Sequence, residues 1–116
     1  MHVWGIRVRL QVEGRIRDLA LFDLAIDCKL RGCDVVALRI ADVLSTGALR
    51  RRAIVLRQKT GRPVQFEITD QTRQCIARWL ERRPSYGGDW LFPSRQWQGE
   101  HLSTRQYSRL VKWWVI

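Results

Sequence analysis

The sequence predicts an α+β fold in which helices pack on a small three-stranded antiparallel sheet. Three observations predict it. Apolar residues recur with helical period between Arg15 and Leu30; two apolar runs, Ala53 to Leu56 and Val64 to Ile68, flank a Gly and Pro turn; and a capped helical face closes the sequence. The 116 residues are enough for one domain, spanning 1–116, and 46% hydrophobic with 28% charged residues is a globular rather than a disordered composition.

Each element has its own signal. Val3, Ile6 and Leu10 keep spacings of three and four, so a short first helix is expected, ended by Gly14. From Arg15 to Leu30, Leu19, Phe22, Ile26 and Leu30 mark one face, which Leu21, Leu24, Ala25 and Cys28 widen. That is a central helix covered by other elements, with Asp23 and Asp27 as its narrow polar stripe. Gly32 breaks it; Asp34 is expected to cap a short helix through Val35, Val36 and Leu38, and Ile40 to Leu44 reads as the first strand. After the Ser45-Thr46-Gly47 turn, Ala53 to Leu56 and the alternating Val64, Phe66 and Ile68 form a hairpin around Lys59-Thr60-Gly61-Arg62-Pro63. Thr69 or Asp70 caps a helix carrying Thr72, Cys75, Ile76, Trp79 and Leu80, which Pro84 to Gly88 ends. Ser103 and Gln106 form a capping box for a last helix with Tyr107, Leu110, Val111 and Trp114 on one face. The six tryptophans read mostly as core, with Trp97 in a polar loop as the exposed one.

Charge narrows the function. Lys and Arg number 21 against 11 Asp and Glu, a net charge of +10, which points to a polyanionic partner. No apolar run approaches the roughly 18 residues of a membrane span and no signal segment opens the chain, so a cytoplasmic protein without a membrane partner is expected. Three cysteines (Cys28, Cys33, Cys75) without a Cys-x-x-Cys pair and two distant histidines (His2, His101) suggest neither a disulfide framework nor a zinc site, and no metal or cofactor is expected. Buried free thiols are expected instead.

The residues that carry chemistry run from Leu30-Arg31-Gly32-Cys33-Asp34 through Leu38 to Asp42, followed by the Lys59 hairpin. Taken in order, Arg31, Asp34, Leu38, Asp42 and Lys59 resemble the tyrosine recombinases, or phage integrases. In that family a helix ends in an Arg, an acidic residue comes three positions later, a Leu-rich turn leads to an Asp-ending strand, and a three-stranded sheet presents a hairpin lysine. Leu91-Phe92-Pro93-Ser94 and the capped helix after it also resemble the family, so the resemblance runs from about Arg15 onward.

The resemblance implies metal-independent strand transfer on double-stranded DNA, during integration or excision of a phage or other mobile element, with Arg31 and Lys59 as catalytic residues. Phosphoryl transfer without a metal needs fixed cations for the charge that develops on the non-bridging oxygens. A planar guanidinium clamps two of those oxygens, whereas a hairpin ammonium has a proton to give the leaving 5′ oxygen. Asp34, one turn from Arg31, is expected to orient the guanidinium. Arg50, Arg51, Arg52 and Arg62 are expected on backbone phosphates.

The family completes its set with a His-x-x-Arg box, a further His or Trp, and a late tyrosine nucleophile, none of which these 116 residues contain. His101-Leu102-Ser103-Thr104-Arg105 has one residue too many between His and Arg, Tyr107 lies on an apolar helix face, and Tyr86 matches no family position. The family's N-terminal DNA-clamping helical domain is expected to be absent as well. The chain is therefore expected to be an incomplete recombinase catalytic domain that holds DNA phosphate without cutting. Its apolar end, Val115-Ile116, and the wide face of the Arg15–Leu30 helix favour homo-oligomers. Two other readings remain: a non-enzymatic basic DNA-binding module or regulator of a full-length recombinase, and an RNA-binding domain resting on charge alone.

Overall fold

Ile6 and Leu10, one turn apart, are the buried residues of α1 (Val3–Val12), which stops where Gly14 adopts φ +68° and turns the chain. The computed structural model describes residues 3–97 and 99–115; His2 and Ile116 lie outside the described residues. Helix α2 (Ile16–Cys28) follows, with Leu19 to Leu24 and Cys28 buried. It packs against α1 on one side and against α5 (Asp70–Arg82) on another. The centre of the fold is therefore this helix, as its width of apolar surface predicts.

Its polar stripe is bonded to neighbouring elements. Asp23 is fully buried, accepting from Arg7 Nε at 2.8 Å and from Cys75 Sγ at 3.3 Å, so one carboxylate joins α1, α2 and α5. Asp27 accepts from both the backbone N–H and the Oγ1 of Thr69, at 2.9 and 3.0 Å, which fixes the residue that caps α5. The two charges of the narrow polar stripe are thus partners of neighbouring elements.

The strand expected at Ile40 to Leu44 is instead a helical turn, α4 (Ile40–Val43), with only Leu44–Ser45 extended as β1. The Asp42 carboxylate accepts from the Arg39 N–H at 2.8 Å, holding the first turn of a helix closed. The antiparallel sheet is divided into two ladders: β1 with β2 (Ala48–Leu49), and β3 (Arg52–Leu56) with β4 (Pro63–Glu67). Arg50 and Arg51 separate the two; the Arg50 N–H on the Val43 carbonyl continues the first ladder and the Ile68 N–H on the Arg51 carbonyl continues the second. In the longer ladder Ala53 faces Phe66 on the buried side and Ile54 faces Gln65 on the outer side.

The rest follows its caps. Thr69 caps α5, whose Trp79 donates to the Leu91 carbonyl at 2.7 Å and stacks on Phe92. Ser103 and Gln106 form the expected box at the start of α6 (Thr104–Trp114), and α6 returns to pack on α3 (Gly32–Val36). Trp114 closes the core edge-on to Phe22 at 5.5 Å, packing α6 against the wide apolar face of α2. A groove of about 200 Å³ lined by Ala25, Ile26, Val111 and Val115 remains between α2 and α6. The tryptophans are less buried than expected: Trp4, Trp97 and Trp113 are exposed, with the guanidinium groups of Arg9 and Arg15 both packed on the Trp113 ring.

All three cysteines are free; Cys28 is buried, Cys33 and Cys75 half-buried. Burial pushes the Cys28 thiol up from 9.0 to about 11, and burial together with Asp23 pushes Cys75 up to about 12. The folded chain thus keeps protons that the unfolded chain releases near pH 9, so stability is full below that pH and declines as pH rises through the folded values. Urea midpoints measured across this range should fall, and fall less in a Cys28→Ala/Cys75→Ala variant. An equal decline in both proteins would remove the thiols as the cause. No helix among the described residues is long and apolar enough to cross a membrane, and no metal-ligating cluster occurs among them.

Candidate functional site

Arg31 stands at the junction of α2 and α3. Helix α2 ends on Lys29, which adopts φ 53° while its N–H bonds the Ala25 carbonyl. A left-handed residue other than glycine costs about 1–2 kcal/mol. Its effect is to turn the chain sharply, so that two residues later Arg31 takes an extended conformation and becomes the N-cap residue of α3. The Arg31 carbonyl accepts from the N–H groups of Asp34 and Val35, both at 3.0 Å, which fixes its backbone while its side chain is exposed. Its guanidinium makes no hydrogen bond or ion pair to another described residue.

Asp34 is not the cap of α3, because the helix begins two residues earlier and leaves it at the third helical position. Its side chain does not reach Arg31 either. With the residue only 4% exposed, Oδ1 accepts from the backbone N–H of Gln58 at 3.0 Å. A buried carboxylate on α3 therefore ties down the loop between β3 and β4 at the residue immediately before Lys59. The loop is further closed by the Gly61 N–H on the Arg57 carbonyl at 2.7 Å, the Arg57 N–H on the Arg62 carbonyl at 2.9 Å, and Gly61 at φ +68°. Lys59 and Arg62 are exposed on this closed loop.

Seven residues singled out in the sequence separate into two groups. Arg31 and Asp34 lie three residues apart on α3, and the Asp34 bond to the Gln58 N–H joins that helix to the loop carrying Lys59 and Arg62. Arg50, Arg51 and Arg52 lie at the other end of the hairpin, about 13 Å along β3 at roughly 3.3 Å per residue. There Arg52 pairs with Glu67 at 3.1 Å, the Arg50 Nε approaches the Ala41 carbonyl at 3.4 Å, and Arg51 lies beside Asp70 and Arg73. The expected cationic run is not continuous with the tip.

The sequence reading missed the Gln58 amide, because any residue there supplies the same donor. It also missed what holds Arg31 from behind. A Cβ at Gly32 would lie 3.1 Å from a ring carbon of Tyr107, so the missing side chain lets α6 press against the residue next to Arg31. Tyr107 is half-buried, packs edge-on to Trp114 at 6.3 Å, and its phenol is pushed above 10.0 by burial. His101 packs against the Trp90 ring and Arg105 lies exposed in the first turn of α6, an arrangement of a loop and a helix start.

Among curated proteins, no sequence matches this one. In structure the chain is similar to a protein solved as the crystal structure of XerA recombinase, with a TM-score of 0.76 at 16% identity. The match covers 97% of this chain and 41% of that one, so the chain spans about two fifths of its relative's length. The sequence profile of the phage integrase family matches residues 9–116. With that match over most of its length and the fold in agreement, the chain belongs to the phage integrase family.

Proposed function

We propose that this chain binds the phosphate backbone of duplex DNA at the face carrying Arg31 and Lys59, and supplies part of the phosphate pocket of a site-specific tyrosine recombinase. The observation that carries the reading is the 3.0 Å bond from the Gln58 N–H to Asp34, which anchors the lysine loop to the helix that opens at Arg31. Arg31 is the clamp for the non-bridging oxygens, Lys59 the donor to the leaving 5′ oxygen, and Asp34 the positioning residue for the loop rather than for the guanidinium. Arg62 extends the phosphate contact at the tip. Arg50 and Arg51 serve a more distant stretch of backbone, and Arg52 shares its charge with Glu67.

These 116 residues bind without cutting. Their two tyrosines are Tyr86, in the turn after α5, and Tyr107, whose ring is packed between Gly32 and Trp114; the rest of the family's catalytic residues have no counterpart in them. Because cooperating catalytic residues fail together, a partial set should leave no turnover. The experiment is a filter-binding titration of a DNA duplex over a salt series, paired with a suicide substrate that traps covalent intermediates. The expected result is binding whose log K falls linearly with log salt, at about −0.9 per phosphate contact, and no trapped adduct. Salt-independent binding would overturn the phosphate reading, and a covalent adduct would overturn the inactivity.

A further inference from the structure

The outer face of the β3–β4 hairpin breaks the pattern of its own sheet. An antiparallel pair with one face on the core ordinarily presents polar residues on the other. Strand β4 does so with Gln65 and Glu67, but β3 places Ile54 and Leu56 on the solvent side, 64% and 63% exposed. Leu56 stands opposite Pro63, so the strip reads Ile54, Leu56, Pro63 toward the tip, where Lys59 and Arg62 follow. At the far end the Arg52–Glu67 pair is electrically closed. Asp42 and Arg50 also lie beside Ile54 at that end, whereas toward the tip Arg57, Lys59 and Arg62 carry positive charge with no carboxylate among residues 57–62.

An exposed apolar strip set in that charge cannot suit a basic or neutral partner as well as a polyanion with apolar faces of its own. A nucleic-acid backbone has this chemistry: phosphates alternate with sugars whose carbon faces are apolar. We propose that Ile54, Leu56 and Pro63 form an apolar contact surface for the deoxyribose faces of duplex DNA whose phosphates are held by Lys59 and Arg62. The proposal rests on the DNA-binding reading and adds to it a contact that carries no charge.

That difference makes it separable. Ile54→Thr/Leu56→Thr removes most of the exposed aliphatic surface yet keeps residues that tolerate a strand, at positions that do not enter the core. With a mixed-sequence DNA duplex titrated over a salt series, the variant should bind on the order of tenfold more weakly at every salt, with the parental slope. Leu56→Met, which keeps the apolar area, should retain the parental affinity. By contrast Lys59→Ala should make the slope shallower by about 0.9. An affinity for the double Thr variant within twofold of the parent, while parental binding remains salt-dependent, overturns the strip and leaves the DNA reading intact. A parent without salt-dependent binding overturns that reading and the strip with it. If sedimentation shows the double variant converting a parental dimer to monomer at unchanged DNA affinity, the face pairs copies of the chain and the proposal fails.

Discussion

Replacing Trp114 by alanine is expected to cost about 3–5 kcal/mol of stability, the range for removing a buried aromatic side chain. Trp114 is 2% exposed, stands edge-on to Phe22 at 5.5 Å and to Tyr107 at 6.3 Å, and its Nε1 approaches Asp18 Oδ2 at 3.4 Å. Truncation opens a cavity between α2 and α6 and leaves Asp18, itself buried, to its Arg17 partner alone. The loss is a large share of the roughly 5–15 kcal/mol that holds a domain of this size together. Its reach extends to the site, because Tyr107 is wedged between Trp114 and Gly32, the neighbour of Arg31. Urea denaturation followed by far-ultraviolet circular dichroism reads the effect directly. A loss below about 1 kcal/mol would mean that α6 is not an integral part of the core.

Asp34→Ala should cost about 1–3 kcal/mol and should free the lysine loop. The substitution deprives the Gln58 N–H of its acceptor and removes the one side-chain bond from α3 to the hairpin tip found among the described residues. Amide exchange at Gln58 should accelerate by about the same free energy, while amides in the middle of β3 and β4 keep their ladder partners and change less. Asp34→Asn keeps an oxygen acceptor and should recover most of the protection. DNA affinity should fall in the alanine variant without any cation having been removed. An unchanged Gln58 exchange rate would show that the loop is held by its own turn rather than by α3.

The elements whose signals are local were legible. The capping box of Ser103 and Gln106, the Thr69 cap and the hairpin around Gly61 each depend on residues a few positions apart, and each forms where spacing puts it. Helix α2 was legible because its apolar positions exceed any single face. Ile40 to Val43 was misread because four or five apolar residues fit a strand or a helical turn equally well, and the Asp42 bond to the Arg39 N–H decides between them. Asp34 was assigned to a local cap, while its actual acceptor bond reaches 24 residues along the chain. The same limit applies to Asp23, whose partners Arg7 and Cys75 lie on two other helices. Residue types in the site were readable, since phosphate chemistry selects them; which cations share the hairpin tip depends on packing that spacing does not encode.

The account stands or falls on Arg31 and Lys59 acting at one phosphate. A double-mutant cycle on DNA affinity, with Arg31→Ala, Lys59→Ala and the pair, measures this most directly. Two cations on a shared phosphate predict a coupling energy of at least about 0.5 kcal/mol, with the double variant losing less than the sum of the single losses. Losses that add to within about 0.3 kcal/mol would place the two side chains on separate phosphates and contradict the shared pocket.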